Sequence, residues 1–379
     1  MPEREPSISA FLSERIGAGD FPSAVYVVAE RGRARFADAL GDAVREPVRR
    51  PAALETIYDL ASLTKPLVTG LLTALLVERG RVEPDAPVAS YLSEFAREDK
   101  RALTVRHLLT HTSGLPAWRP LYLLAGGDRE RVPALVAAQP LEQAPGARVV
   151  YSDLGFITLG LLLQRVAGAP LAELARREII GPLDLERTFF NPEQSFQTET
   201  AACESAGNAY ERELCAGAQD AAPAAGWRTE TIWGEVHDGN AFFLGGAAGH
   251  AGLFSTAGET LRLASQFLAA RTELLQPQTC ALFRLNMTEG LNEARSFAWQ
   301  LAATPDSTAG PLLAPDSFGH LGFTGTSCWL DPHRERVFIL LTNRTHARAL
   351  PFVNINGVRR RFHTLAAEAL ERDASRVAG

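Results

Sequence analysis

Cysteine is scarce in this chain, which has four among its 379 residues and no pair with C-x-x-C spacing. That scarcity fits a reducing compartment or a protein indifferent to redox conditions. We interpret the four as free thiols. A bridge between Cys203 and Cys215 is the alternative that the sequence leaves open.

An excess of positive charge is also lacking, because 38 lysines and arginines face 44 acidic residues, for a net charge of -6. A chain of this charge has no broad basic surface for nucleic acid or anionic lipid. The longest apolar run starts near Leu67 and meets Glu78 and Arg79, too soon to span a bilayer. The N-terminus shows no signal peptide. We therefore expect a soluble, cytoplasmic protein, or a periplasmic one if a leader has been removed.

Lysine is the rarest charged residue: only Lys65 and Lys100 occur, and Lys65 follows Ser62 by three positions at the start of an apolar run. Residues three apart share a helix face, so the Ser62 hydroxyl and the Lys65 amine are expected to touch. We expect burial and the helix N-terminus to lower the pKa of Lys65, so that a neutral amine accepts the serine proton. Arginine cannot do this, because it stays protonated. The alternative is a surface serine and lysine in a capped helix.

Strand-like segments lie at both ends of the chain and helical ones in the middle, which predicts an α+β architecture. We predict a sheet region from residues 1–60 and 295–379, and a mainly helical region from residues 61–294. An irregular excursion is predicted over residues 191–234, and the sequence leaves open whether it covers a cleft.

Local signals place several elements. A β-hairpin is predicted around Arg31-Gly32, and a short helix is predicted after a cap at Thr104. In the C-terminal region, strands are predicted on either side of turns at Gly325 and Asp331-Pro332. A last helix is predicted from about 354 to 372, with the V-R-R-R-F stretch 358–362 on its solvated face.

Two further segments supply partners for a nucleophile. Tyr151 stands just before a helix, where a phenol near an ammonium group is able to act as acid and base. The alternative is a tyrosine packed in the core. His320 and Gly322 lie on a predicted strand, and the glycine permits close approach of the backbone. The N–H groups of Phe323 and Ser62 would then form an oxyanion hole.

At these three places the sequence resembles the serine β-lactamase and penicillin-binding protein superfamily. The motifs are S-L-T-K from Ser62, Y-S-D from Tyr151 and H-L-G from His320, in that order. The segments LLTHTSGLP, YSDLGF and GPLDLERTFF resemble the class C-like branch of esterases and D-alanyl-D-alanine carboxypeptidases. The stretch 234–256 resembles the subgroup that contains penicillin-binding protein 4B. The resemblance implies a β-lactamase/transpeptidase-like fold, with an antiparallel sheet from both chain ends flanked by helices.

The resemblance also implies a mechanism. Ser62 attacks a carbonyl, Lys65 and Tyr151 handle its proton, and the N–H groups of Ser62 and Phe323 hold the oxyanion. Water then hydrolyses the acyl-enzyme, with Tyr151 as its activator. The implied partners are small-molecule esters, amides or peptides, with no cofactor.

Two departures from the family pattern bear on the substrate. Asp153 stands where many relatives carry asparagine, and His320 stands where the lactamases carry lysine. Both changes weaken the positive field that would bind a substrate carboxylate. We therefore expect ester hydrolysis before β-lactam or peptidoglycan-peptide hydrolysis. The predicted substrate-binding residues are Asp153, His320, Gly322 and His250, the last with a simple loop histidine as its alternative.

Other interpretations remain open at this stage. A non-catalytic penicillin- or acyl-binding sensor, or a true class C-like β-lactamase, would carry the same motifs. His237-Asp238 with His250, and the pair His107 and His111, contain metal-ligating residue types, but neither set matches a zinc motif and we predict no metal site. The sequence does not decide the oligomeric state.

Overall fold

The computed structural model describes residues 2–216 and 227–378. It has α+β architecture, with a seven-stranded antiparallel sheet in the order β3-β2-β1-β10-β9-β8-β7 and a small sheet in the order β4-β6-β5. The strands are β1 (Ser23–Glu30), β2 (Arg33–Val44), β3 (Arg50–Pro51), β4 (Tyr58–Asp59), β5 (Phe189–Phe190), β6 (Leu253–Ser255), β7 (Gln300–Leu301), β8 (Phe318–Leu321), β9 (Ser327–Asp331) and β10 (Arg336–Thr342). The α-helices are α1 (Pro6–Gly17), α2 (Leu71–Glu78), α3 (Val105–Leu109), α4 (Leu121–Leu124), α5 (Val132–Ala138), α6 (Asp153–Ala167), α7 (Leu171–Ala175), α8 (Ala209–Cys215), α9 (Gly239–Phe243), α10 (Ala257–Ser265) and α11 (Asn356–Ala378).

Strand β1 joins the two ends of the chain. It pairs with β2 on one side and with β10 on the other, in a register that runs from Ala24↔Thr342 to Glu30↔Arg336. Alternate side chains of β1 enter different cores: Tyr26 packs with α1 and α11, and Val27 faces the helical region. A strand buried on both faces reads as a continuous apolar run, which explains the S-A-V-Y-V-V-A sequence.

The predicted local elements are present. Arg31 and Gly32 form the β1–β2 turn with φ values of 53° and 75°, as a tight hairpin requires. Thr104 caps α3 and accepts a hydrogen bond from the N–H of His107, whose ring nitrogen accepts one in return from the Thr104 N–H. These interactions give His107 a capping role.

The apolar segment after Ser62 is a core helix. It begins as a 3-10 turn at Ala61–Leu63, continues as a π-helical turn at Lys65–Gly70, and becomes α2. By length and composition the 18 residues Ala61–Glu78 would also pass as a membrane span, with a mean hydropathy of 1.2, but 83% of that stretch is buried inside the fold.

The middle of the chain holds one finding against expectation and decides one open alternative. The described part of the stretch 191–234 contains a 3-10 helix at Gln194–Glu199 and the helix α8, and residues 217–226 of it lie outside the described residues. Cys203 and Cys215 are both buried free thiols, so the alternative of a bridge between them is wrong.

Helix α6 crosses the loop before β6 at a point without side chains. A Cβ on Gly160 would lie 2.8 Å from the Gly249 nitrogen and 2.9 Å from its Cα. Glycine costs about 1 kcal/mol relative to alanine in a helix, so propensity alone favours Gly160→Ala. Because the loop backbone blocks the methyl group, we expect Gly160→Ala to destabilise the protein by about 1–3 kcal/mol in urea unfolding.

Gly258 is the matched control for that change. It lies in α10, and a Cβ there meets nothing within 4 Å. Gly258→Ala is therefore expected to be neutral or stabilising by up to about 1 kcal/mol. Equal effects of the two changes would contradict the close crossing of α6 and the loop.

Candidate active site

Ser62 lies in the first turn of the buried helix, on a strained piece of backbone. Ala61 has a φ of 48°, which is uncommon for a residue other than glycine, and its N–H donates to Asp59 Oδ1 over 2.8 Å. The N–H of Ser62 belongs to a helix start, where backbone donors have no partner within the helix. The strained turn therefore presents both the hydroxyl and the N–H of Ser62 to the adjoining cleft.

Lys65 makes the contact predicted for it. Its Nζ lies 2.9 Å from Ser62 Oγ, and the side chain is 0% exposed. The same nitrogen donates to the His250 carbonyl over 3.0 Å and lies 4.9 Å from the centre of the Tyr151 ring. The structure therefore places Ser62, Lys65 and Tyr151 together.

The charge on Lys65 differs from the prediction. Its Nζ lies 2.7 Å from Asp153 Oδ1. Burial favours the neutral amine, but the charge of Asp153 and the neighbouring Tyr151 outweigh burial, and the net effect raises the pKa of Lys65. The expectation of a lowered pKa is wrong, because a carboxylate from the second motif reaches the amine. Lys65 is an ammonium ion at neutral pH.

Tyr151 stands at the start of α6 with its ring against His111, at 4.5 Å between ring centres. Burial raises the pKa of the Tyr151 phenol, and the nearby Lys65 ammonium opposes that effect without cancelling it. The next residue, Ser152, caps α6 through its hydroxyl, and its N–H donates to His111 Nδ1 over 3.0 Å. Tyr151 is thus a neutral phenol held rigidly by its neighbours.

The turn between β8 and β9 supplies the other side of the site. Thr324 Oγ1 donates to the Asp59 carbonyl over 2.8 Å, and Thr326 Oγ1 donates to the Leu60 carbonyl over 3.1 Å. A side chain at Gly322 would collide with Thr326 Oγ1 at 2.0 Å, so glycine is required there. Within the part of the chain that the structure describes, the N–H of Phe323 donates to no protein atom. It is available to a ligand in the cleft.

His320 lies on β8 beside Tyr151, with ring centres 5.8 Å apart. Its Nδ1–H donates to the Leu321 carbonyl over 2.9 Å, which leaves Nε2 as an acceptor. That Nε2 is buried and has no partner among the described residues. Burial and the charges of Lys65 and Arg295 hold the pKa of His320 well below its usual value. His320 is therefore a neutral acceptor that carries no positive charge.

The cleft in front of Ser62 has a volume of about 590 Å³. Three of the four residues predicted to bind substrate, Asp153, His320 and Gly322, line it. His250 does not: its imidazole is 1% exposed and makes a 2.8 Å hydrogen bond to Asp238 Oδ1. The prediction for His250 is corrected, because only its backbone carbonyl takes part, through Lys65.

Several cleft residues were not predicted. From α8 and its surroundings come Tyr210, Glu211 and Leu214, so the described part of the 191–234 stretch forms one wall. Buried Arg295 lies 5.9 Å from the centre of the Tyr151 ring, with its Nε and Nη2 on Glu293. Arginine and glutamate in a loop carry no sequence signal that distinguishes them from surface residues.

The last helix brings a correction. Arg359, in the stretch 358–362 assigned to a solvated face, is 5% exposed and lines the cleft. Its guanidinium donates to the carbonyls of Gly322 and Thr326 over 2.6 and 3.0 Å. Helix α11 therefore turns this arginine inward, onto the turn that carries Phe323.

The histidines considered as metal ligands have other partners. His237 pairs with Glu204 over 2.9 Å, His250 pairs with Asp238, and His107 caps α3. Across residues 2–216 and 227–378, no group of three or more histidines, cysteines and acids is placed to hold a metal ion.

An antiparallel sheet from both chain ends, with the start of the Ser62–Lys65 helix packed against β8, defines the β-lactamase/transpeptidase-like fold. A class C β-lactamase from Rhodobacter sphaeroides superposes with a TM-score of 0.71 at 20% identity, covering 97% of this chain and 100% of that one. The β-lactamase family model matches residues 8–356. This chain belongs to the β-lactamase family.

Two sequence relatives are similar over most of their length. The Escherichia coli K12 protein named "Putative D-alanyl-D-alanine carboxypeptidase" is 30% identical over 372 residues, which covers 91% of this chain and 83% of the relative. The Bacillus subtilis 168 protein named "N-acetylmuramyl-L-alanine amidase" is 31% identical over 360 residues, 88% of this chain and 80% of the relative. The predicted membership of the β-lactamase and penicillin-binding protein superfamily is confirmed.

Proposed function

We propose that this protein is a serine hydrolase that cleaves an ester or amide bond through an acyl-enzyme on Ser62. The 2.9 Å contact between Ser62 Oγ and the buried Lys65 Nζ carries the proposal. The cleft is also lined by Phe323, whose N–H meets no acceptor among the described residues. It therefore combines a nucleophile, a proton carrier and oxyanion donors, which are the parts needed for acyl transfer.

The resting charges define the proton route. Because Lys65 is an ammonium ion, it must give up a proton as it accepts one from Ser62. Asp153 Oδ1, at 2.7 Å, is placed to take it. As Ser62 Oγ bonds to the substrate carbonyl carbon, its proton passes to Lys65 while Lys65 passes one to Asp153. When the tetrahedral intermediate collapses, the proton returns through Lys65 to the leaving oxygen or nitrogen, and the ion pair is restored.

Substitution of Asp153 separates this relay from a simpler scheme. The Asp153 carboxylate raises the pKa of Lys65, so Asp153→Asn lowers that pKa and makes the free amine more abundant at pH 7. If Lys65 only needs to be neutral, the variant gains activity at pH 7 and its acid limb moves to lower pH. Under the relay, we expect kcat/KM at pH 7 to fall by about 10²-fold. Profiles of kcat/KM from pH 5 to 10 distinguish the relay from the simpler scheme. The control is Asp184→Asn, a change at an exposed aspartate.

The substrate class follows from the cleft and from the relatives. The names of the two relatives concern cell-wall amide bonds, which supports a D-alanyl or muramyl peptide as the natural substrate. The neutral His320 offers no charge to the carboxylate of a β-lactam. Esters remain our first expectation for turnover, because an ester needs no carboxylate anchor and has the better leaving group.

A substrate panel tests the proposal. We expect p-nitrophenyl acetate and butyrate to be hydrolysed faster than a D-Ala-D-Ala peptide, and nitrocefin to be slowest. An aryl fluorophosphonate is expected to label Ser62, located by peptide mass mapping. Label at another residue would remove the proposed nucleophile. Stoichiometric acylation without release over hours would favour the acyl-binding sensor, and rapid nitrocefin turnover would favour a β-lactamase.

A further inference from the structure

We propose that Arg359 is a positioning residue that aims and strengthens the Phe323 donor of the oxyanion hole. This inference rests on the proposed function, because it concerns how the same site stabilises an oxyanion. It starts from a guanidinium that is 5% exposed yet has no carboxylate within 4 Å among the described residues. A buried cation without an anion is costly, so a reason for its presence is required.

Four hydrogen bonds of the Arg359 guanidinium go to oxygen atoms of the β8–β9 turn and of Asn356. Nη2 donates to the carbonyls of Gly322 and Thr326 over 2.6 and 3.0 Å, and Nε donates to that of Gly325 over 3.3 Å. Nη1 donates to Asn356 Oδ1 over 2.9 Å. Three of the four acceptors thus belong to the β8–β9 turn, and the shortest contact is to Gly322.

The Gly322 carbonyl and the Phe323 N–H belong to one planar trans peptide unit. In such a unit the C=O and N–H bonds point in opposite directions. A guanidinium that fixes the carbonyl on one side therefore fixes the N–H on the other. That N–H has no protein acceptor among the described residues, and Phe323 lines the cleft together with Ser62. The Gly325 N–H also donates to the Gly322 carbonyl, over 3.1 Å, so Arg359 is the charged one of the two donors that set the direction of this peptide unit.

The contact has an electrostatic consequence as well. Hydrogen bonds from a charged donor are about twice as strong as neutral ones, and bonds in series polarise one another. The positive guanidinium of Arg359, bonded to the Gly322 oxygen, draws electron density from the peptide group. This makes the Phe323 N–H a stronger donor. A developing oxyanion gains most from this, so the effect belongs to kcat rather than to substrate binding.

A second arginine holds the next peptide. Arg344 Nε donates to the Phe323 carbonyl over 2.8 Å, and its guanidinium lies 4.9 Å from the centre of the Phe323 ring. Arg344 thus fixes the peptide unit that follows the donor, between Phe323 and Thr324. It does not hold the peptide unit that carries the donor N–H, so the larger effect is expected from Arg359.

The test compares Arg359→Lys and Arg359→Met with Arg361→Met, an exposed arginine of the same helix. Loss of one oxyanion donor costs about 10²–10³ in kcat. We expect Arg359→Met to lose about 10²-fold in kcat on p-nitrophenyl butyrate with KM changed less than about threefold, Arg359→Lys to lose less, and Arg361→Met to match the wild type. A wild-type kcat in folded Arg359→Met overturns the proposal.

If Arg359→Met folds poorly, a rescue experiment and a spectroscopic experiment on other variants still test the proposal. Added guanidinium at tens of millimolar is expected to restore activity to Arg359→Ala but not to Ser62→Ala. In an acyl-enzyme with a ¹³C-labelled carbonyl, weaker oxyanion bonds are expected to raise the carbonyl stretching frequency in Arg359→Lys. No rescue together with an unmoved frequency overturns the proposal. Failure of the wild type to acylate Ser62 would instead overturn the proposed function.

Discussion

Replacing Ser62 by alanine is expected to lower kcat for p-nitrophenyl butyrate by about 10⁴-fold or more. Removing the nucleophile of an acyl-transfer site leaves only the oxyanion donors and substrate binding, which together give a small residual rate. The Ser62 hydroxyl lies 2.9 Å from the Lys65 amine, in the cleft that the Phe323 N–H also borders. Initial rates measure the loss, and intact-protein mass shows whether an acyl adduct still forms.

The control for that substitution is Ser93→Ala, a change at an exposed position of a short 3-10 helix. It is expected to retain the wild-type rate and the wild-type acylation mass shift. Equal hydrolysis by Ser62→Ala and wild type would take the nucleophile role away from Ser62, whatever the geometry around it.

The second large effect is expected at Lys65. Lys65→Arg keeps a positive charge in the site but cannot release a proton, because guanidinium stays protonated at any working pH. The route from Ser62 to Asp153 is then broken. We expect kcat to fall by about 10³-fold, within the range for loss of a proton-transfer group. The loss should persist from pH 5 to 10, and the acyl-enzyme should no longer accumulate in intact-protein mass spectra.

The only other lysine gives a matched control. Lys100 is also buried, at 1% exposure, and its ammonium donates to the Gln139 carbonyl over 2.8 Å. Lys100→Arg makes the same change of size and shape at a buried lysine that has no role in the proposed reaction. It is expected to affect the melting temperature more than kcat. If Lys65→Arg retained its rate while Lys100→Arg lost it, the proton route would be wrong.

The sequence alone predicted the parts of the site that depend on short spacing. Ser62 and Lys65 meet because residues three apart share a helix face. Tyr151 and the H-L-G motif could be added only through a family resemblance, because no local rule brings residues 62, 151 and 320 together. The fold class followed from apolar segments at both ends of the chain, although the pairing of β1 with β10 depends on long-range packing.

The protonation state of Lys65 could not be predicted in the same way. Burial alone would have favoured the neutral amine, as expected. The opposite result comes from Asp153, which is 88 residues further along (153 − 65) and reaches Nζ only in the folded chain. A net pKa shift is a balance of opposing effects, and its sign depends on distances that spacing in the sequence does not give.

The assignments of His250 and Arg359 failed for a related reason. Histidine and arginine occur both at the surface and in buried polar sites, and the local sequence around these two residues is compatible with either location. His250 is buried in a hydrogen bond to Asp238, which itself lines the cleft, and Arg359 is held at the cleft by carbonyl groups of a distant turn. In both cases the deciding partners are contributed by other elements of the fold.

The two proposed halves of the oxyanion hole lie 261 positions apart along the chain (323 − 62), and the second half is in the turn between β8 and β9, which join β1 through β10. During synthesis, a ribosome would therefore expose the reactive serine long before the second donor exists. An unfinished or truncated chain would carry a nucleophile unable to stabilise the charge it creates. Under the proposed mechanism, acyl transfer by Ser62 therefore requires the completed sheet.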